Sequence, residues 1–223
     1  MGVRGRRLRG VFISFEGIEG CGKTTQRDRL AKLLRERGHK VVETREPGGT
    51  PLAERIRQLL LEPSGPSTEP ITPQCEAYLV QAGRAQHIEQ VIRPALKEGA
   101  VVLCDRFSDS TLAYQGYARG MDRPFLEMLN RAATKGLSPD LTVLFDLPVP
   151  LALARRRKPE IEQNRLDRET RRFHERVRQG FLTLAARHPR RIKLIDARPD
   201  PDRVLAQVAA IVSRFLKRRK RPV

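Results

Sequence analysis

The string Gly17-Ile18-Glu19-Gly20-Cys21-Gly22-Lys23-Thr24 constrains the fold of this chain more than any other feature. It stands between an apolar, β-compatible run at residues 11–15 and a helix-periodic stretch at residues 24–37, which Gly38 ends. Glycines at this spacing let backbone N–H groups wrap a phosphate at the positive end of a helix. Lys23 then reaches β- and γ-oxygens, and the Thr24 hydroxyl is a magnesium ligand. The competing reading is a chance glycine turn, but ordinary residue usage produces the full pattern in fewer than about one chain in a hundred. The strand-loop-helix unit therefore points to a nucleoside triphosphate, with Gly17, Ile18, Glu19, Gly20, Cys21, Gly22, Lys23, Thr24 and Thr25 as the loop that binds it.

The rest of the chain alternates in the same way. Residues 40–44 read as a strand, residues 51–61 as a helix with Leu52, Ile56, Leu59 and Leu60 on one face, and residues 62–73 as a proline-rich loop. One long helix is expected over residues 74–98, stopped by Gly99. Residues 101–104 and 141–145 are short apolar strands followed by Asp105 and Asp146, residues 192–195 are a fifth strand, and Val204, Leu205, Val208, Ile211, Val212, Phe215 and Leu216 give a last helix its apolar face. Strands alternating with helices predict an α/β fold: a five-stranded parallel sheet with helices on both faces and ligands beyond the carboxyl ends of its strands.

A length of 223 residues fits a single domain, expected over residues 11–216. The net charge of +18 raises the possibility of a nucleic-acid partner. Much of that charge lies at the ends, in Arg4, Arg6, Arg7 and Arg9 and in Arg214, Lys217, Arg218, Arg219, Lys220 and Arg221. Residues 1–10 and 217–223 are accordingly read as flexible basic extensions that attract polyanions, with no dedicated nucleic-acid partner. No apolar run approaches the roughly 20 residues that span a bilayer, which predicts a soluble protein with no membrane partner. Cys21, Cys75 and Cys104 have no CxxC spacing and read as reduced thiols of a cytoplasmic protein, with no disulfide or metal framework.

A second motif, Asp105-Arg106-Phe107-Ser108-Asp109-Ser110-Thr111-Leu112-Ala113-Tyr114-Gln115-Gly116, begins at the end of an apolar strand, on the rim that faces the glycine loop. There Asp105 is a candidate Mg²⁺ ligand and Arg106 a candidate for an acceptor phosphate; a structural Asp-Arg ion pair is the alternative reading.

Taken together, these strings resemble the thymidylate kinase family. The DRFSDSTLAYQG run carries the resemblance most specifically, and EGIEGCGKTT, TREPGGT, GRAQH, SPDLTVLFD and FHERVRQGF extend it from about Val11 to Phe215. The resemblance implies the P-loop nucleoside monophosphate kinase fold, transfer of the γ-phosphate of ATP to dTMP with Mg²⁺, and a homodimer in which the helix at residues 74–98 is an interface element. It also implies that Arg45 and Arg106 grip the acceptor phosphate, Arg84 and Thr111 read the thymine edge, Tyr114 and Gln115 line the sugar and base pocket beside Ser110, and Glu19 meets the sugar 3′-hydroxyl. Lys23, Arg106, Arg155 and Arg165 would supply the catalytic cations, the last two from a lid near residues 155–168. Glu19 stands where some members carry an arginine, so the likeness is to the bacterial type whose lid arginines close over ATP. No general base is called for, because the acceptor phosphate is already an anion.

Two departures stand out. Val80 occupies the place where the family usually stacks a phenylalanine on thymine, with Phe107 or Tyr78 as possible replacements, and Asn164-Arg165-Leu166-Asp167 departs from the commoner Asp-Arg-hydrophobic-Glu lid pattern. The rival readings are a kinase of another nucleoside monophosphate or of a deoxynucleoside, and a nucleic-acid-stimulated P-loop ATPase.

Overall fold

The structure, a computed structural model, describes residues 10–62, 69–156, 165–166 and 169–220. Residues 1–9 of the expected extension at 1–10, residues 63–68 of the expected loop, the lid residues 157–164 and 167–168, and residues 221–223 of the expected tail lie outside the described residues.

Strand β1 (Val11–Glu16) leads through the glycine loop into helix α1 (Lys23–Glu36), followed by β2 (Val41–Arg45) and α2 (Pro51–Leu61). Helix α3 (Pro73–His87) continues through a π-helical segment (Ile88–Ile92) into α4 (Arg93–Lys97). Next come β3 (Val101–Asp105), the short α5 (Ser108–Thr111), a second π-helical segment (Leu112–Ala118) and α6 (Arg123–Thr134). The remainder is β4 (Leu141–Asp146), α7 (Val149–Arg156), α8 (Arg171–Arg187), β5 (Ile192–Asp196) and α9 (Pro201–Lys220).

The five strands form one parallel sheet in the order β2-β3-β1-β4-β5. Central β1 is buried at every position, as a strand covered on both faces must be. On one face Phe12, Val102 and Cys104 pack with Ile88, Ile92 and Leu96; on the other Ile13, Phe15, Val101 and Leu103 pack with Leu30, Leu34, Val208 and Val212. Register then builds the functional rim: Phe15 lies beside Asp105, and Asp105 beside Arg45.

Every strand ends one residue beyond the run expected for it, on Glu16, Arg45, Asp105, Asp146 or Asp196. The ladder continues because it is made by backbone groups, so the last residue can be polar, whether exposed like Arg45 or buried and hydrogen-bonded like Glu16. The expected helix at residues 74–98 is continuous but widens at Ile88–Ile92, just before Pro94. Proline has no N–H and its ring crowds the carbonyl four residues back, and a π-turn relieves both. Helix α9 runs past the expected boundary at residue 216 to Lys220, since Lys and Arg are good helix formers and cations suit a helix C-terminus. Among the described residues no helix is long and apolar enough to cross a membrane.

Candidate active site

Helices α2, α3, α6 and α8 begin with side-chain caps: Thr50, Thr72, Asp122 and Thr170 each accept the N–H three residues on. Helix α1 does not. Its N-cap is Gly22 at φ 90°, with no side-chain hydrogen bond, and a Cβ added there would meet nothing within 4 Å. The first-turn N–H groups are thus left for an anion, which the helix dipole also favours. The loop around them is closely seated: a Cβ on Gly17 would lie 2.5 Å from the Phe145 carbonyl oxygen, and one on Gly20 would lie 2.4 Å from that of Ala152. Ile18 and Cys21 anchor the loop in the core, and burial pushes the Cys21 thiol pKa up, so it is a packing group. Lys23 is buried and donates from Nζ to the Ile18 carbonyl at 3.0 Å, while Thr24 and Thr25 are exposed at the start of the helix.

Across the rim the Thr24 hydroxyl donates to Asp105 Oδ2. A hydroxyl and a carboxylate meeting beside a phosphate loop are hard oxygen donors of the kind Mg²⁺ takes when triphosphate oxygens and water complete its shell. Among the described residues no group of three or more His, Cys, Asp or Glu gathers to form a metal cage of its own.

Arg106 occupies the left-handed region at φ 70°, unusual for a side chain of its size, and its N–H donates to the Phe15 carbonyl at 2.9 Å. Its guanidinium donates to the Gly17 carbonyl at 3.0 Å, to Ser110 Oγ at 3.1 Å and to Glu19 Oε1 at 2.8 Å, and lies 5.0 Å from the centre of the Tyr114 ring. The Tyr114 hydroxyl donates to Glu19 Oε2 at 2.6 Å. Burial opposes ionisation of Glu19, but Arg106, Lys23 and the tyrosine hydrogen bond outweigh it and hold its pKa down to about 2.

Glu16 stands behind this loop, accepting from the Phe107 N–H at 2.7 Å and Ser110 Oγ at 2.6 Å. Its burial and the nearby Asp109 carboxylate raise its pKa to about 8. Asp109 is itself clamped by Arg191 at 2.6 and 2.8 Å.

The expected acceptor residues line one cavity of about 300 Å³ together with Glu19, Lys23, Thr24 and Asp105 of the donor side: Arg45, Val80, Arg84, Arg106, Ser110, Thr111, Tyr114 and Gln115. Arg84 is 2% exposed. It donates from Nε to Glu46 Oε2 at 2.7 Å and from Nη1 to Thr111 Oγ1 at 2.9 Å and Asn130 Oδ1 at 2.6 Å. Arg45 pairs with Glu54 at 2.8 Å. Gln115 donates to Glu76 at 2.7 Å.

Phe107 lines the cavity beneath the Arg84 guanidinium, 5.2 Å from its carbon, and packs edge-on to Phe12. Tyr78 is 47% exposed, so it leaves the place beside Val80 unfilled. The lid arginines separate. Arg165 donates to Glu76 and, at 2.9 Å, to the Leu60 carbonyl, in the acceptor wall. Arg155 donates to the Ala197 carbonyl at 3.3 Å, and it is Arg156 that lines the cavity, its Cγ 3.1 Å from where a Cβ on Gly20 would stand.

Sequence reading missed Glu16, Glu46, Arg57, Glu76 and Asn130. Glu16 and Glu46 directly follow strand-like runs, which is a usable signal at a sheet's carboxyl edge. Glu76 and Asn130 sit inside helices and carry none.

The sequence profile of the family described as Thymidylate kinase matches residues 15–208. Similar proteins include the thymidylate kinases of Desulfovibrio desulfuricans, 49% identical over 95% of this chain and 99% of that protein, and of Geobacter sulfurreducens, 49% identical over 94% and 100%. The thymidylate kinase of Thermomicrobium roseum is 50% identical over 94% and 98%. The crystal structure of thymidylate kinase from Ehrlichia chaffeensis superposes with a TM-score of 0.73 at 34% identity, covering 91% of this chain and 98% of that one.

Proposed function

Because the chain belongs to the thymidylate kinase family and transfers the γ-phosphate of ATP to dTMP, giving dTDP and ADP, we propose how its residues divide that work. The observation that carries the assignment is one continuous cavity with an uncapped phosphate loop at one end and a buried, polar-saturated arginine at the other, joined at Asp105 and Arg106.

Residues Gly17 to Thr25 hold the triphosphate through their N–H groups, with Lys23 released from the Ile18 carbonyl to the β- and γ-oxygens. Thr24 and Asp105 hold Mg²⁺, which when bound neutralises charge on those oxygens. Arg106, with Arg45, receives the acceptor phosphate, since a guanidinium fork matches its oxygens. Arg84 and Thr111 face the base, and Val80, Ser110, Tyr114 and Gln115 shape the pocket. Glu19, kept anionic beside Arg106, is placed for a sugar hydroxyl and limits how far that arginine can swing. Arg165 and the Arg155–Arg156 pair supply the lid charge, with Arg165 exchanging Glu76 for a phosphate on closure.

A homodimer is part of this reading. Leu52 and Leu59 on α2, Tyr78 on α3 and Met128 on α6 are all about half exposed or more, on helices that pack side by side. The free thiols Cys21, Cys75 and Cys104 support a cytoplasmic setting.

The test is steady-state ADP production from ATP and Mg²⁺ with each deoxynucleoside monophosphate, with thymidine, and with single-stranded DNA. Preference for dTMP is expected. Preference for another monophosphate overturns the acceptor assignment, and stimulation by DNA alone overturns the kinase reading.

A further inference from the structure

Arginine has five N–H donors on a flexible stem, so one that discriminates between bases must have most of them occupied and a single nitrogen offered. Arg84 meets that condition. Nε is taken by Glu46 and Nη1 by Thr111, Asn130 and, at 3.2 Å, Gln81 Oε1, whereas Nη2 has no hydrogen-bond partner among the described residues. The side chains of Arg84 and Glu46 are 1% and 3% exposed, so their charges cancel inside the wall.

Glu46 is in turn fixed from behind. Its Oε1 meets His87 Nδ1 at 3.1 Å, and His87 Nε2 meets Thr44 Oγ1 at 2.6 Å. Its N–H donates to the Asp105 carbonyl at 2.9 Å, the residue that receives Thr24. Gly49 leaves no slack behind the imidazole, since a Cβ there would lie 2.5 Å from the His87 ring. Burial opposes the Glu46 charge, but Arg84 and His87 outweigh it and keep its pKa low.

From this geometry we infer that Glu46, backed by His87 and Thr44, is the positioning residue for acceptor specificity: it aims Arg84 and cancels its charge so that the wall accepts a base carbonyl and not a second anion. The inference rests on the reading of Arg84 as the base contact. A base that presents an amine at that place leaves two donors facing each other, unpaired and out of water.

The experiment is kcat and KM for dTMP and for dCMP in the full-length enzyme and its Glu46→Ala, Glu46→Gln, Arg84→Gln and Glu46→Gln/Arg84→Gln variants, with KM for MgATP alongside. Glu46→Gln keeps size and, by a change of His87 tautomer, the hydrogen bonds, so it tests the charge in a folded protein even where Glu46→Ala folds poorly. Glu46→Gln is expected to raise KM for dTMP about tenfold and to shrink the dTMP preference over dCMP, with kcat and KM for MgATP within about threefold. In the Arg84→Gln background the same change should have no further effect, since it acts through Arg84.

The proposal is overturned if Glu46→Gln lowers kcat or the thermal midpoint while KM and the dTMP preference stay put, or if its penalty persists in full without Arg84. A wild-type enzyme indifferent between dTMP and dCMP, or an Arg84→Gln variant with its preference intact, overturns the reading of Arg84 itself and the inference with it.

Discussion

At the scale of single residues the site is built from carboxylates whose surroundings push them in opposite directions. Glu19 and Glu16 lie on either side of Arg106 and Ser110, yet one is held to about 2 and the other raised to about 8. The consequences for stability have opposite sign. Glu19 contributes stability above its unfolded pKa of 4.5, and that contribution is lost as the pH falls toward 2. Glu16 keeps its proton in the fold while the unfolded chain ionises, so its effect is to lower stability as the pH rises from 4.5 to about 8. Glu16→Gln, a neutral mimic of the protonated acid, should therefore flatten the decline between those pH values. Urea midpoints across pH 4.5–8.5 measure it, and an equally steep profile in the variant would mean that Glu16 is ionised in the native protein. Arg106 gives the catalytic counterpart. Arg106→Lys keeps the charge but not the fork that spans Gly17, Ser110 and Glu19, and a loss of about 10²–10³ in kcat is expected with MgATP affinity little changed, read by single-turnover kinetics.

At the scale of elements the glycine loop works because α7 lies against it. Gly20 sits at φ 76°, and a Cβ there would stand 2.4 Å from the Ala152 carbonyl. Gly20→Ala should lift the loop from α7, weaken ATP binding and cost about 1–3 kcal/mol of stability, measured by nucleotide titration and denaturant unfolding. The same scale shows what the sequence could convey. The strands were legible because parallel strands covered on both faces are short apolar runs, and the rim followed because Asp105 and Arg106 come straight after one. The π-helical segments were not, since Ile88–Ile92 answers to Pro94 and Leu112–Ala118 to its packing against α8. Within the site, Arg84 and Arg106 were readable from local strings, but Glu46 and Glu76 owe their roles to partners 38 and 89 residues away. Likewise, only packing distinguishes buried Phe107, which lines the cavity, from exposed Tyr78, which does not.

At the scale of the molecule, charge and apolar surface fall in different places. The proposed homodimer predicts that replacing both Leu52 and Leu59 on α2 by glutamate shifts the protein toward monomers in sedimentation velocity, and an unchanged association state overturns the assignment of α2 to its interface. The reading of the N-terminal arginines as counterion-releasing charge predicts that deleting residues 1–9 leaves kcat for dTMP unaltered while lowering the salt needed to elute the protein from heparin. The uncapped start of α1 reaches further than the chemistry it serves. Five other helices complete their first turns with their own side chains, α9 through Asp200, which accepts the Arg203 N–H at 3.0 Å, whereas the helix beneath the central strand leaves its first turn to a bound phosphate. The empty protein is in that sense an unfinished fold, and its melting temperature should climb with the logarithm of free nucleotide once the loop begins to fill. Resistance of the purified protein to proteolysis should rise in step as MgATP is added.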